Sequence, residues 1–240
     1  LLHFITRLSA PLRTMREETI DTEKYLDPVF LRHGQRVYAY DLVERIREDN
    51  LGRKKDGRRI FNMCPQAGFQ EKVLTTQADI KIVGGKRGGG KSYIALYEFL
   101  PYIFNPDVNG YAFGKYEDDV ARGIWKASKP VYRWLGTPAA ASCEWKFLGG
   151  RGATMKMEHL QDPKKIADRF RGVEMAFVLI EELAEHTRDD LNVIFDLLAS
   201  NRTTSGVRPK FICTCNPVGK SNKLRLLLDW WIDPDTNRAI

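Results

Sequence analysis

The sequence predicts an α/β fold, with a mostly parallel central sheet flanked by helices and an N-terminal extension. Three observations predict it. From Ile80 onward, short apolar runs alternate with helix-like stretches, the pattern of a layered α/β domain. A glycine-rich loop in IVGGKRGGGKSYIAL (82–96) joins the first of those strands to the first of those helices. A later apolar run, AFVLIEEL (176–183), ends on two adjacent carboxylates, Glu181 and Glu182.

Taken in order, residues 1–60 read as the extension. Asp41–Glu48 (DLVERIRE) has the spacing of a short amphipathic helix, and RKKDGRR (53–59) is a basic turn. The main domain is placed at 61–232. Its predicted strands are Ile80–Val83, Gly110–Gly114, Met175–Ile180 and Lys210–Thr214; its predicted helices are Tyr93–Leu100, Val120–Leu135, Arg188–Leu198 and Asn222–Trp231. Between Ser142 and Leu160 the residues alternate around Gly149-Gly150, a hairpin signature. Residues 233–240 read as the start of a linker. The chain begins without methionine and ends at Arg238-Ala239-Ile240 with no closing element, so a piece of a longer polypeptide is expected.

Composition narrows the function classes. With 43% apolar and 11% aromatic residues, the 240-residue chain suits a folded domain with a substantial core, which argues against a disordered segment. Thirty-eight Lys and Arg against 31 Asp and Glu leave a net charge of +7, which favours polyanionic partners without naming one. Cys64, Cys143, Cys213 and Cys215 show no C-x-x-C spacing and are read as reduced thiols. LLHFITRL at the start is broken by His3 and Arg7, and no apolar run approaches the ~18 residues of a membrane span. A soluble, cytosolic protein is expected.

From Gly85 the loop fits G-x-x-x-x-G-K-[ST]. Glycine inside a regular element costs ~0.5–1 kcal/mol relative to alanine, so five of them between Gly84 and Gly90 imply a close approach to this backbone. A strand, such a loop and a helix together make a phosphate cradle. Backbone N–H groups across Gly85, Lys86, Arg87, Gly88, Gly89 and Gly90 face an anion, Lys91 reaches the β- and γ-phosphates of ATP, and Ser92 ligates Mg²⁺. Hydrolysis also needs carboxylates. Glu181 is assigned to the metal and Glu182 to the attacking water, at the strand end where ligands sit in an open α/β sheet. The strand Phe211–Thr214 runs into Cys215-Asn216-Pro217. Asn-Pro there is a turn signal, or its threonine and asparagine sense the γ-phosphate.

The ordered set GFQ (68–70), GGKRGGGKS (84–92), a hairpin leading into LQDPKKIADRFRG (160–172), VLIEEL (178–183) and ICTCNP (212–217) resembles the ATPase domain of the large terminase subunit. That subunit is the genome-packaging motor of tailed double-stranded DNA bacteriophages, and the resemblance covers about residues 61–232. It implies an ASCE-type P-loop fold whose subunits form a homo-oligomeric ring and translocate double-stranded DNA through the portal into a procapsid. It also implies a small terminase subunit as partner, work in the host cytoplasm and no membrane; the isolated domain is expected to be a monomer. By the same resemblance Gln70 lies on the adenine side, Arg87 is the arginine inside the Walker A loop, and Glu181-Glu182 are the Walker B acids. Thr214 and Asn216 belong to the coupling motif. The family more often has Asp first in the acid pair, so Glu181, with its longer arm, leaves direct or water-mediated metal contact open. Arg171 resembles the arginine supplied to a neighbour's site, with Arg169 and Arg202 as rivals. The family's nuclease domain has no match here, so ATPase activity without DNA cleavage is expected.

Two other readings stand beside this one. A helicase or AAA-type remodeller would share the loop, but a two-lobed helicase needs a second lobe that one P-loop in 240 residues does not supply. A nucleotide-dependent switch or structural module would bind ATP without needing Glu182 beside Glu181.

Overall fold

In a computed structural model, the described residues are 54–55, 58–59, 65–66, 68–76, 78–133 and 135–216. The helices expected at Asp41–Glu48 and Asn222–Trp231 and the linker at 233–240 lie outside them. Strands β1 (Lys54–Lys55) and β2 (Arg58–Arg59) pair antiparallel within the basic run.

The main sheet has seven strands: β3 (Ile80–Gly84), β4 (Asn109–Gly114), β5 (Gly136–Ala139), β6 (Glu144–Phe147), β7 (Thr154–His159), β8 (Phe177–Ile180) and β9 (Lys210–Cys215). Their spatial order is β3-β9-β8-β4-β7-β6-β5. The five strands from β3 to β7 are parallel, and β6 and β5 add an antiparallel edge. The hairpin read at Ser142–Leu160 is β6 and β7, turning through left-handed Gly149 and Gly150. β5 has no counterpart among the expected strands, because Pro138 in GTPA is a poor strand residue; it is tolerated at the sheet's edge, where a missing N–H costs no ladder bond.

Both faces of the central strands are buried, which explains why they read as continuous apolar runs. Successive residues alternate between two cores. Phe177, Leu179, Ile212 and Ala112 face one cluster, while Val178, Ile180, Phe211, Cys213 and Phe113 face the other. The first core is closed by α1 (Phe69–Thr75), α2 (Lys91–Tyr97) and α3 (Trp125–Tyr132), through Leu74, Ile94, Leu96, Trp125 and Tyr132. The second is closed by α4 (Pro163–Phe170) and α5 (Arg188–Ala199), through Ile166, Phe170, Leu191, Ile194 and Leu197. Each such side chain contributes ~1.5–3 kcal/mol by leaving water.

Several boundaries differ from the sequence reading. α2 starts at Lys91, directly after left-handed Gly90, and ends at Tyr97; Leu100–Tyr102 with Pro101 follows as a separate 3₁₀ turn. The strand expected from Met175 starts at Phe177. The helix expected at Val120–Leu135 begins earlier, with a turn at Glu117–Asp119 whose Asp119 accepts the Tyr116 N–H, passes through a π-helical turn at Val120–Ile124, and ends as α3 at Tyr132. Two helices, α1 and α4, are absent from the sequence reading. For α4 the signal is present: Asp162 caps the Lys165 N–H, Pro163 is at N1, and Ile166 and Phe170 are one turn apart.

Candidate functional site

The parallel register brings Gly84 of β3 beside Cys215 of β9, and Ile180 of β8 beside Cys213. The segments leaving these strand ends therefore converge: the glycine loop after β3, Glu181 and Glu182 after β8, and Asn216 after β9. β9 lies between the loop strand and the acid strand, so its end faces both.

The loop's glycines have specific reasons. Gly88 and Gly90 adopt φ 77° and 72°, where an L side chain is strained. A Cβ on Gly90 would lie 2.2 Å from Gln70 Nε2, so only glycine lets the Gln70 amide reach the loop. Gln70 is buried on α1, and its Oε1 accepts the Gln66 N–H at 2.7 Å. Gln70 and the glycine loop are thus in contact.

Lys91 is buried, and its ammonium donates to Gly85 O (3.1 Å), Lys86 O (2.9 Å) and Asn216 Oδ1 (2.6 Å). All three of its protons are used. Because an ammonium only donates, the Asn216 oxygen must face it. The Asn216 Nδ2 then donates to both carboxylate oxygens of Glu182, at 2.8 and 2.7 Å. One amide therefore ties the loop lysine to the second acid. Glu182 sits at φ 50°, ψ 52°, and its N–H donates to Thr214 Oγ1 at 3.1 Å. A non-glycine residue held in this region by specific bonds is characteristic of functional sites.

Ser92 Oγ donates to Glu181 Oε1 at 2.7 Å. Burial raises the Glu181 pKa above its ordinary value, and the neighbouring charges of Glu182 and Asp119 add to the rise. A half-buried carboxylate next to a hydroxyl, with no cation bonded to it among the described residues, is what a divalent ion would complete. The donor set is one hydroxyl and one carboxylate. That suits Mg²⁺, which keeps waters and takes substrate phosphates.

Some contributors have no legible signal in the sequence. A Cβ on Gly123 would sit 3.2 Å from Glu181 Oε2, and the backbone N–H of Ile124 bonds the Glu181 carboxylate, so the π-helical turn packs directly on the first acid. His186 is buried with Nε2 3.1 Å from the Glu181 carbonyl oxygen, and desolvation lowers its pKa. Two clefts meet at Glu181 and Glu182. One runs over Arg87–Tyr93; the other, lined by Lys115, Asp118, Asp119 and Arg122, adjoins it.

The arginines are placed outside this contact network. The Arg87 side chain is 87% exposed on the rim, 4.0 Å from Glu185. Arg171 is exposed and paired with Asp168 at 3.0 Å, on the C-terminal cap of α4. Arg169 bonds Glu158, and Arg202 is exposed after α5. Arg169, Arg171 and Arg202 line neither cleft.

A glycine loop between strand and helix, a strand interposed before the acid strand, and paired carboxylates at its end define an ASCE-type P-loop fold. The chain belongs to the large terminase family: residues 82–238, more than half of it, match the model described as "Terminase large subunit, T4likevirus-type, N-terminal". The large terminase of a thermophilic bacteriophage superposes with a TM-score of 0.53 at 18% identity, over 64% of this chain and 40% of that one. The large terminase ATPase domain of Thermus phage P74-26 gives a TM-score of 0.50 at 16% identity, over 75% of this chain and 70% of that one. At these identities the likeness concerns the fold. The chain spans less than half of the first of these two proteins. No curated protein matches it significantly in sequence.

Proposed function

We infer that this chain is the ATP-hydrolysing motor part of a viral DNA-packaging terminase, coupling hydrolysis to translocation of double-stranded DNA into a procapsid. The observation that carries the reading is the hydrogen-bonded chain Lys91–Asn216–Glu182, beside Ser92–Glu181. Lys91 spends its protons on two neutral carbonyls and one amide, and phosphate oxygens are stronger acceptors. Lys91 turning toward them releases Asn216 Oδ1. Asn216 then no longer has a fixed orientation, and Glu182 is freed to accept a hydrogen bond from water in line with the γ-phosphate. Thr214, bonded to the Glu182 N–H, transmits the same event to β9. When bound, Mg²⁺ would neutralise charge on the phosphate oxygens, with Ser92 and Glu181 as its holders. Gln70, against Gly90, would meet the base.

Arg87 on the rim is positioned to swing over phosphates in its own site, and exposed Arg171, held only by a surface pair with Asp168, would serve a neighbour's. The reading implies a homo-oligomeric ring at the portal, a small terminase subunit as partner, and work in the host cytoplasm. The test is ATP turnover by the full-length protein with and without double-stranded DNA and procapsids. Mg²⁺-dependent turnover stimulated by both supports the motor; nucleotide binding without turnover under all conditions would leave only a switch.

A further inference from the structure

The helical segment that packs on Glu181 carries an unusual outer face. Arg122, Lys126, Lys129 and Arg133 are all exposed, while Ile124, Trp125, Ser128, Val131 and Tyr132 between them are buried in the first core. The spacing is four, three and four residues, one stripe along the helix. At ~1.5 Å per residue it runs on the order of 16 Å. No Asp or Glu occurs between Val120 and Leu135. The acids of this segment, Glu117, Asp118 and Asp119, are confined to its first turn, where they suit the helix dipole. Arg122 reaches Asp118 at 3.3 Å, and an exposed pair of that kind contributes little.

We propose that this stripe, Arg122–Lys126–Lys129–Arg133, is a contact surface for the phosphate backbone of duplex DNA. The proposal rests on the motor reading above and names a surface of this chain that grips the substrate. Three features favour duplex phosphates over other anionic partners. Among the described residues, those beside the stripe are Ala121, Ala127 and Pro130, and none of them is the large apolar or aromatic anchor on which a protein interface centres. Among the described residues its aromatic neighbour is Trp125, which is buried beneath Lys129 and offers no free ring face for an unpaired base to stack on. Long, flexible cations in a row, on a helical segment that carries no acid beyond its first turn, match a backbone with one charge per ~3.4 Å of each strand. The stripe also starts at the ATP site. Gly123 and the Ile124 N–H lie against the Glu181 carboxylate, so the first turn of the stripe is in direct contact with that acid.

The test uses the full chain and a fluorescein-labelled mixed-sequence duplex, with affinity measured across a salt series. Lys126→Gln/Lys129→Gln should weaken binding about tenfold or more at moderate salt. It should also lower the slope of log K against log salt by roughly two, one per lysine removed. Duplex-independent ATP turnover should be unchanged. Lys164→Gln/Lys165→Gln on α4, which removes equal charge from another exposed face, should leave the slope as in the wild type. An unchanged slope in the stripe variant, or an equal loss in the α4 variant, overturns the proposal. A wild-type chain that neither binds duplex nor hydrolyses ATP faster with it breaks the motor reading itself. A wild type that does both, with an indifferent stripe variant, breaks this inference alone.

Discussion

The two ends of the sheet each hold a buried ionic cluster, and they are built differently. At the amino ends of the strands, Glu98 lies between Lys81 of β3 and Lys210 of β9, with side chains 0%, 5% and 15% exposed. Lys81 also donates to Val73 O on α1 at 2.7 Å, and each carboxylate oxygen of Glu98 has its own ammonium. That cluster is complete. At the carboxyl ends, half-buried Glu181 has a hydroxyl and a backbone N–H, the Glu182 carboxylate is held by one amide, and Lys91 leans on loop carbonyls. The first cluster joins α1, β3, α2 and β9 into one body; the second leaves its charges to be completed by a phosphate and a cation. Charge paired with opposite charge marks the scaffold, and charge held by neutral groups marks the site.

The contrast is broken most severely by removing the shared acid of the closed cluster. Glu98→Gln leaves two buried ammonium groups without a carboxylate and should cost about 3–5 kcal/mol, read from denaturant unfolding. A loss below ~1 kcal/mol would show that the triad is not what joins these elements. Glu181→Gln should do the reverse. The raised Glu181 pKa means the fold favours the neutral acid: its contribution is present below the ordinary value of 4.5 and is lost as pH rises through the raised value. Removing the charge should therefore raise stability at neutral pH by about 1 kcal/mol while Mg²⁺-dependent turnover disappears. A variant that is both less stable and inactive would make Glu181 part of the scaffold.

The smallest effect sharpens the closed end. Burial lowers the Lys81 pKa from 10.5 to about 8, against the raising influence of Glu98. Between those values the unfolded chain holds more protons, so this group makes stability rise as pH goes from 8 to 10.5. Lys81→Met should flatten that rise in a melting-temperature series against pH. A slope identical to that of the wild type would mean that Lys81 keeps its proton throughout.

Local signals make much of this legible in the sequence. The glycine loop, the apolar strand ending in Glu181-Glu182, and Thr214 to Asn216 all follow from short-range constraints on backbone and charge, and they do converge. The order β3-β9-β8 is not readable, because register between parallel strands distant in sequence leaves no local mark. For the same reason Lys81, Glu98 and Lys210 give no hint of each other. The contact of Gly123 and Ile124 with Glu181 depends on a π-helical turn, which no residue spacing announces. The motif fixes the Arg87 backbone within the loop, yet its side chain points to solvent, since a loop fixes its backbone long before its longest side chain.

The central claim is that the open cluster hydrolyses ATP, with Glu182 as the group that orients water. Steady-state ATP turnover of Glu182→Gln, alongside a nucleotide-binding titration, tests it most directly. Binding should stay within a few-fold of wild type while turnover falls by a factor of about 10²–10⁴. Turnover equal to that of the wild type would contradict it.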